Sequence, residues 1–267
     1  QIRETLEATG VDTQLRRFWT DDAAVIFAYP EGPANDPDNK ALLAQLRSIP
    51  DTPEFTVLVT GGTAEIVDVV DVIYDRFWLV GGFVVVMTYS ILLILFRSVV
   101  LPIKAIFLNI MSILASYGAL VWVFQDGHLH ELLQFTPQGF VEASLPVIMF
   151  CVLFGLSMDY EVFLLTRIRE EWERTGDNRE AVAYGLERSG RIITSAALIV
   201  VVVTGSFVSA DVVIVKALGL GIAIAVAVDA TIVRALLVPA TMALLGHVNW
   251  WIPSWLDRFL PGKGFHE

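Results

Sequence analysis

The 267-residue chain has one cysteine, Cys151. It can form no intrachain disulfide, and it carries no information about redox compartment. Charge is scarce: charged residues make up 18% of the chain, against roughly 25% in soluble domains. Basic charge is scarcer still, with 18 Lys and Arg against 29 Asp and Glu and a net charge of −11. Phosphate backbones attract the opposite sign, so nucleic acid is excluded as a partner class. Of the four histidines only His128 and His130 stand close together. An HxH pair alone is weak evidence for a metal, and this one reads as part of a solvated loop. Neither a nucleophile–base set, a phosphate loop nor a metal-ligand cluster stands out. An enzyme is therefore not expected, nor any cofactor.

What the chain has in abundance is apolar sequence, at 55% of residues. Five apolar stretches occupy residues 77–96, 101–124, 145–165, 192–210 and 213–235. At 1.5 Å per residue each is long enough for a helix to cross a hydrocarbon core of roughly 30 Å. The expected fold is an α-helical polytopic membrane protein with five transmembrane helices. Three parts follow: a segment 1–76, a membrane domain 77–246 and a Trp-rich tail 247–267.

Lys and Arg in short loops set orientation. Residues 97–104 carry two, residues 166–191 carry six, and residues 125–144 carry none. This pattern puts residues 1–76 outside and the carboxyl terminus in the cytoplasm. An outside segment needs a leader or an earlier span, and the sequence from Gln1 has no signal pattern. Further sequence, including at least one span, is expected upstream.

The first 75 residues hold 14 acidic and 5 basic side chains. Their pattern predicts strands at 23–29 and 55–60 and helices at 38–48 and 63–76, the last running into the first span. That β-α-β-α order suggests part of an α+β, ferredoxin-like (split βαβ) layer. In the 166–191 loop, Thr175-Gly176 breaks the third helix. Asp177 and Glu180 then mark the start of a connector helix ending near Arg188. Trp250, Trp251 and Trp255 suit a belt at the cytoplasmic interface.

Asp159 lies inside the third apolar run. An ionised carboxylate there costs at least ~2.5 kcal/mol, and such residues mark proton or ion paths. Cys151, Gly155, Asp159 and Phe163 recur every four residues on one stripe, which suits close packing against another helix. Ala217, Gly221, Ala225 and Asp229 repeat the spacing in the fifth span. Both carboxylates fall roughly 20 Å from the outer face at 1.5 Å per residue. They could share one polar site, with Gly155, Thr194 and Ser195 as supporting positions. Thr194 and Ser195 also read as back-bonded or packing residues. Tyr160 can donate to a carboxylate or pass a proton, and its partner is expected on another helix. Arg234, five residues after Asp229, reads as its ion-pair partner or as a helix-end anchor. Glu161 could snorkel or pair with a basic residue.

Several segments resemble the MMPL family (mycobacterial membrane protein large) of the resistance–nodulation–division superfamily. They are FRSVVLPIKA (96–105), GLSMDYEVFLLTRIREEW (155–172), SGRIITSAAL (189–198) and DATIVRALLVPATMALLGHVNWW (229–251), with GGTAE (61–65) and QDGHL (125–129). The resemblance implies a twelve-span exporter of two halves, of which this chain is the carboxyl-terminal end with a piece of an extracytoplasmic porter domain. It implies that Asp159 and Tyr160 form half of a proton relay, facing a matching pair on a helix of the amino-terminal half. It further implies a bacterial plasma (inner) membrane protein, driven by protons as coupling ion, that exports lipids or other hydrophobic compounds. The partners so implied are membrane lipids, that cargo and the amino-terminal half of the same transporter; self-association into a homo-oligomer is left open. Two alternatives use related folds: a sterol-sensing-like lipid-binding module and a protein-export accessory subunit.

Overall fold

The computed structural model describes residues 12–16 by their backbone, and residues 25–51, 53, 56–137, 139–258 and 260 in full. Residues 23 and 24 of the first expected strand, residue 55 of the second and residues 261–267 of the tail lie outside this set. The chain forms two compact units, Gln1–Arg76 and Phe77–Glu267.

In the first unit β1 (Asp12–Arg16) and β2 (Val25–Tyr29) pair antiparallel, with Asp12 opposite Tyr29 and Arg16 opposite Val25. Helix α1 (Pro37–Arg47) starts where a sequence reader would place it. Asp36 accepts from the Asp38 N–H at 2.9 Å, and Pro37 occupies a first-turn position that needs no donor. Leu43 and Leu46 are buried on its inner face. Arg47 grips the Asp68 carboxylate with two hydrogen bonds, of 2.5 and 2.8 Å. The strand expected at 55–60 is not formed: residues 56–60 join no strand ladder, the Val57 N–H donating instead to Asp51 Oδ1 at 3.1 Å, and Leu58 is exposed. A strand needs a neighbouring edge to satisfy its backbone. Among the described residues the only paired edges are β1 and β2, so the ferredoxin-like layer is not seen here.

The second unit is helical. All five apolar stretches lie in helices long and apolar enough to cross a membrane. They are α2 (Gly62–Phe96), α3 (Val100–Leu120), α5 (Ser144–Thr175), α6 (Asn178–Gly205) and α7 (Val213–Val228). Between α3 and α5 stand a π turn (Val121–Gln125) and the short α4 (His130–Leu133). Helix α7 continues through a π-helical segment (Asp229–Leu237), α8 (Val238–Leu245) and a 3-10 turn (Gly246–Trp250), before the short α9 (Ser254–Asp257). Half of the apolar window of α7 is buried, against 11% for α2 and α6. The core is therefore α3, α5 and α7, while α2 and α6 present Trp78, Phe83, Ile199 and Val202 outward.

Close approach comes from small residues. A Cβ on Gly221 would stand 2.8 Å from Met149 Sδ, and one on Gly185 would stand 2.3 Å from the Ile168 side chain. Glycine at these positions lets α7 and α6 lie directly on α5. Two serines of α3 bind the backbone of α7: Ser116 Oγ donates to Gly221 O at 2.8 Å and Ser112 Oγ to Ala225 O at 3.4 Å.

The turn between α5 and α6 is built as its sequence suggests. Gly176 takes φ +71°, and Asp177 accepts from the N–H groups of Arg179 (2.7 Å) and Glu180 (3.1 Å). The helix that follows does not stop near Arg188. Ser189, Gly190 and Arg191 supply neither proline nor a cap, so the connector and the fourth span form one helix.

Of the three tryptophans expected in an interfacial belt, one departs from it. Trp251 and Trp255 are exposed, but Trp250 is buried. Its ring stacks on Trp172 at 4.6 Å, and its Nε1–H donates to Asn178 Oδ1 at 3.2 Å. Asn178 and Asn249 both donate to Met242 O at 2.8 Å, and Ser98 Oγ donates to Asn249 O at 2.6 Å. This polar cluster ties the start of α3, the start of α6 and the end of the fifth span together.

The Asp177 carboxyl is held below the ordinary carboxylate range, first by the Glu180 N–H and then by the Arg179 N–H. A lowered folded-state value means that the cap's contribution is complete above the ordinary pKa and is lost as pH falls through the lowered one. Asp177→Asn, which keeps a capping oxygen, is expected to remain folded but to lose that acid limb. Asp177→Ala should be destabilised at every pH. Thermal unfolding midpoints measured from pH 7 downward check both.

Candidate functional site

Helical geometry orients α5. Successive residues turn by roughly 100°, so Ser157 and Asp159 differ by roughly 200°, whereas Tyr160 and Glu161 lie within about 60° of Ser157. Ser157 and Glu161 are buried and Tyr160 is half-buried. Asp159 is exposed on the opposite side, with Cys151 and Gly155. Of the stripe expected to pack against a helix, Cys151, Gly155 and Asp159 are thus uncovered by any described part of this chain, while Phe163 is half-buried against the core. A Cβ added to Gly155 would meet nothing within 4 Å.

The matching stripe of the fifth span has the opposite fate. Ala217, Gly221, Ala225 and Asp229 are all buried, against α3 and α5. Asp229 Oδ2 accepts from Ser157 Oγ at 3.0 Å and from the Arg234 guanidinium. The same guanidinium donates to Ser157 O at 2.7 Å and to Ser157 Oγ at 3.0 Å. An interfacial anchor does not describe Arg234, which is 4% exposed.

The π-helical segment explains how residues five apart can meet. In an α-helix, positions i and i+5 are displaced by roughly 140° around the axis. In π geometry the hydrogen bonds run i to i+5, which stacks such residues over one another. The segment Asp229–Leu237 starts at the aspartate and contains the arginine. The same guanidinium lies 5.0 Å from the centroid of the Tyr160 ring, in cation–π contact. A small cavity, with about 10 Å³ of space for water-molecule centres, is lined by Ser157, Tyr160, Asp229, Arg234 and Asn109. That is room for roughly one water.

Of the positions expected to form one polar site, the structure brings together Tyr160 and Asp229, around Arg234. Asp159 does not share that cavity with Asp229. Gly155, Thr194 and Ser195 are exposed away from it, and Ser195 Oγ bonds back to Arg191 O at 2.8 Å. Ser157 and Asn109 were not anticipated as members. The serine was legible, in retrospect, as the residue one turn before Glu161. His128 and His130, between the second and third spans, turn Nδ1 toward the carbonyls of Trp122 and Gly127, both at 2.8 Å. No group of His, Cys, Asp and Glu among the described residues could hold a metal ion.

Removing one partner of a buried ion pair strands the other and costs about 3–5 kcal/mol, whereas replacing both with apolar residues is far milder. Arg234→Met should therefore lower the thermal unfolding midpoint much more than Asp229→Leu/Arg234→Met does. A loss in the double variant equal to the sum of the losses in Arg234→Met and Asp229→Leu alone would show that the two side chains do not depend on each other.

Comparison with known proteins follows this geometry. A sequence model of the MMPL family matches residues 21–261. The chain is 46% identical over 212 residues to the mycolic acid-containing lipids exporter MmpL11 of Mycolicibacterium smegmatis, covering 79% of this chain and 22% of that protein. It is 40% identical over 236 residues to the trehalose monomycolate exporter MmpL3 of Mycobacterium tuberculosis, covering 88% of this chain and 25% of the relative. It is 46% identical over 207 residues to the heme uptake protein MmpL11 of Mycobacterium tuberculosis, covering 78% and 21%. The chain thus spans a fifth to a quarter of the length of these relatives.

Proposed function

The chain belongs to the MMPL family and is a multi-pass membrane protein, and on that premise we propose that it is the energy-coupling part of a transporter. The transporter exports lipids or other hydrophobic compounds across the bacterial plasma membrane, driven by the proton gradient. Residues 1–76 lie on the outer side and the carboxyl terminus in the cytoplasm, as the distribution of Lys and Arg favours. Protons are the coupling ion, and no enzymatic step or cofactor is involved.

One observation carries the reading: Asp159 stands on an uncovered apolar face beside a tyrosine whose ring is held from within. A carboxylate facing lipid at this depth costs about 2.5–3.5 kcal/mol or more. The cost falls if another helix covers the face and supplies a polar partner. The small side of that face, Cys151 and Gly155, leaves room for such a helix to approach. Its source is the amino-terminal half of the same transporter. Asp159 then binds and releases the proton, and the Tyr160 hydroxyl donates to a carboxylate supplied by the covering helix. Arg234, fixed by Asp229 and Ser157, holds the Tyr160 ring in place and is a positioning residue.

The names of the relatives support the cargo class. Two are named as exporters of mycolic lipids and one as a heme uptake protein; all three cargoes are large and substantially apolar. The exporter names and the family match favour outward movement of lipid.

The test uses the full-length protein in proteoliposomes with an imposed pH gradient and a fluorescent glycolipid as probe. Wild type should move the probe only with the gradient present. Asp159→Asn at matched protein level, with intact membrane insertion, should reduce movement to the rate seen without a gradient. Undiminished gradient-driven movement in that variant would sink the reading.

A further inference from the structure

Two buried charges stand outside the site just described. Lys104, five residues into α3, and Glu161, on α5, are 8% and 3% exposed. Neither Lys104 Nζ nor Glu161 Oε1 has a hydrogen-bond partner. Glu161 follows Ser157 by one helical turn on the same face of α5. It therefore sits directly beyond the Ser157–Asp229–Arg234 triangle, toward the turn that joins α5 to α6. The charges acting on it come from two elements: Lys104 from α3, and Arg234 and Asp229 from the π-helical segment. Glu161 is in turn the charge that acts on Lys104.

The two acid–base pairs of this cluster are held differently. Asp229 receives hydrogen bonds from a hydroxyl and a guanidinium, so its charged form is well supported. Glu161 has a counter-charge, but its buried Oε1 has no donor. A buried charge is tolerated when it is both paired and hydrogen-bonded; without the second, binding a proton is the ordinary way to shed the penalty.

We propose that Glu161 is a second proton-binding carboxyl of the membrane domain, with Lys104 as its counter-charge. The proton adds to a carboxylate oxygen as an O–H group and leaves by the same bond; nothing else is made or broken. With Glu161 ionised, the four charges Lys104, Glu161, Asp229 and Arg234 balance. With Glu161 protonated, Lys104 loses the attraction that draws its helix toward α5, so protonation acts on the contact between α3 and α5. The use of this step in coupling rests on the transporter reading above, but proton binding by Glu161 does not.

The test is an infrared pH titration of the full-length protein in lipid nanodiscs, following the C=O band of protonated carboxyls. Glu161→Gln should remove one titrating band that Asp159→Asn leaves in place. Lys104→Met should move the pH at which that band titrates, and Arg167→Gln, at a half-buried position on α5 that pairs with Glu170, should not. If Glu161→Gln does not fold, Glu161→Asp retains a carboxyl in an altered position and should displace the band. A titration spectrum unchanged in folded Glu161→Gln, or unchanged in Glu161→Asp, would overturn the proposal. Undiminished lipid movement by Asp159→Asn would instead count against the transporter reading alone, and would leave the Glu161 band where it is.

Discussion

The ion pair between Asp229 and Arg234 organises the membrane unit, and it exists because the fifth span changes from α to π geometry at the aspartate. A buried ion pair is weak evidence for stability, since desolvation of the two charges consumes most of their attraction. Its consequence here is orientational. Both members also bond Ser157, which fixes the rotation of α5 about its own axis. Once Ser157 points inward, Asp159 must point outward, because two residues correspond to roughly 200° of turn. The serine hydroxyls of α3, donating to the α7 backbone, hold the third member of the core in register.

Two stripes with the same four-residue spacing thus do different work. The stripe ending at Asp229 is consumed inside the chain, its small residues allowing α3 and α5 to approach and its carboxylate neutralised by an arginine. The stripe containing Asp159 is left free by the same packing. Tyr160 lies between the two, its ring against Arg234 and its neighbour Asp159 on the open face. That arrangement gives the open carboxylate a rigid companion without fully burying either.

Spans were legible in the sequence because hydropathy over 20 residues is a property that packing cannot reverse. The break at Gly176 and the cap at Asp177 were equally legible, being local. What escaped the sequence depended on neighbours or on an uncommon backbone. A π-helical segment has no reliable local signature, so the sequence left Arg234 open between an ion-pair partner of Asp229 and a helix-end anchor, and only the fold decides for the partner. The residues 56–60 have strand-like composition, but they join neither outer edge of the β1–β2 pair, and the Val57 N–H is taken by the Asp51 side chain instead. Trp250 and Trp251 are adjacent and chemically equal, yet one is stacked on Trp172 and the other exposed. Only the fold distinguishes them. Asp159 stood out by chemistry alone; that it could share a polar site with Asp229 gives way to helical phase, which points the two apart.

The most direct measurement is an experimental structure of the full-length protein in a lipid bilayer, resolved well enough to place side chains in the spans. The account predicts that Arg234 bridges Asp229 and Ser157, and that the face bearing Cys151, Gly155 and Asp159 is covered by another helix. An Arg234 turned away from Asp229, or an Asp159 side chain facing lipid, would contradict it.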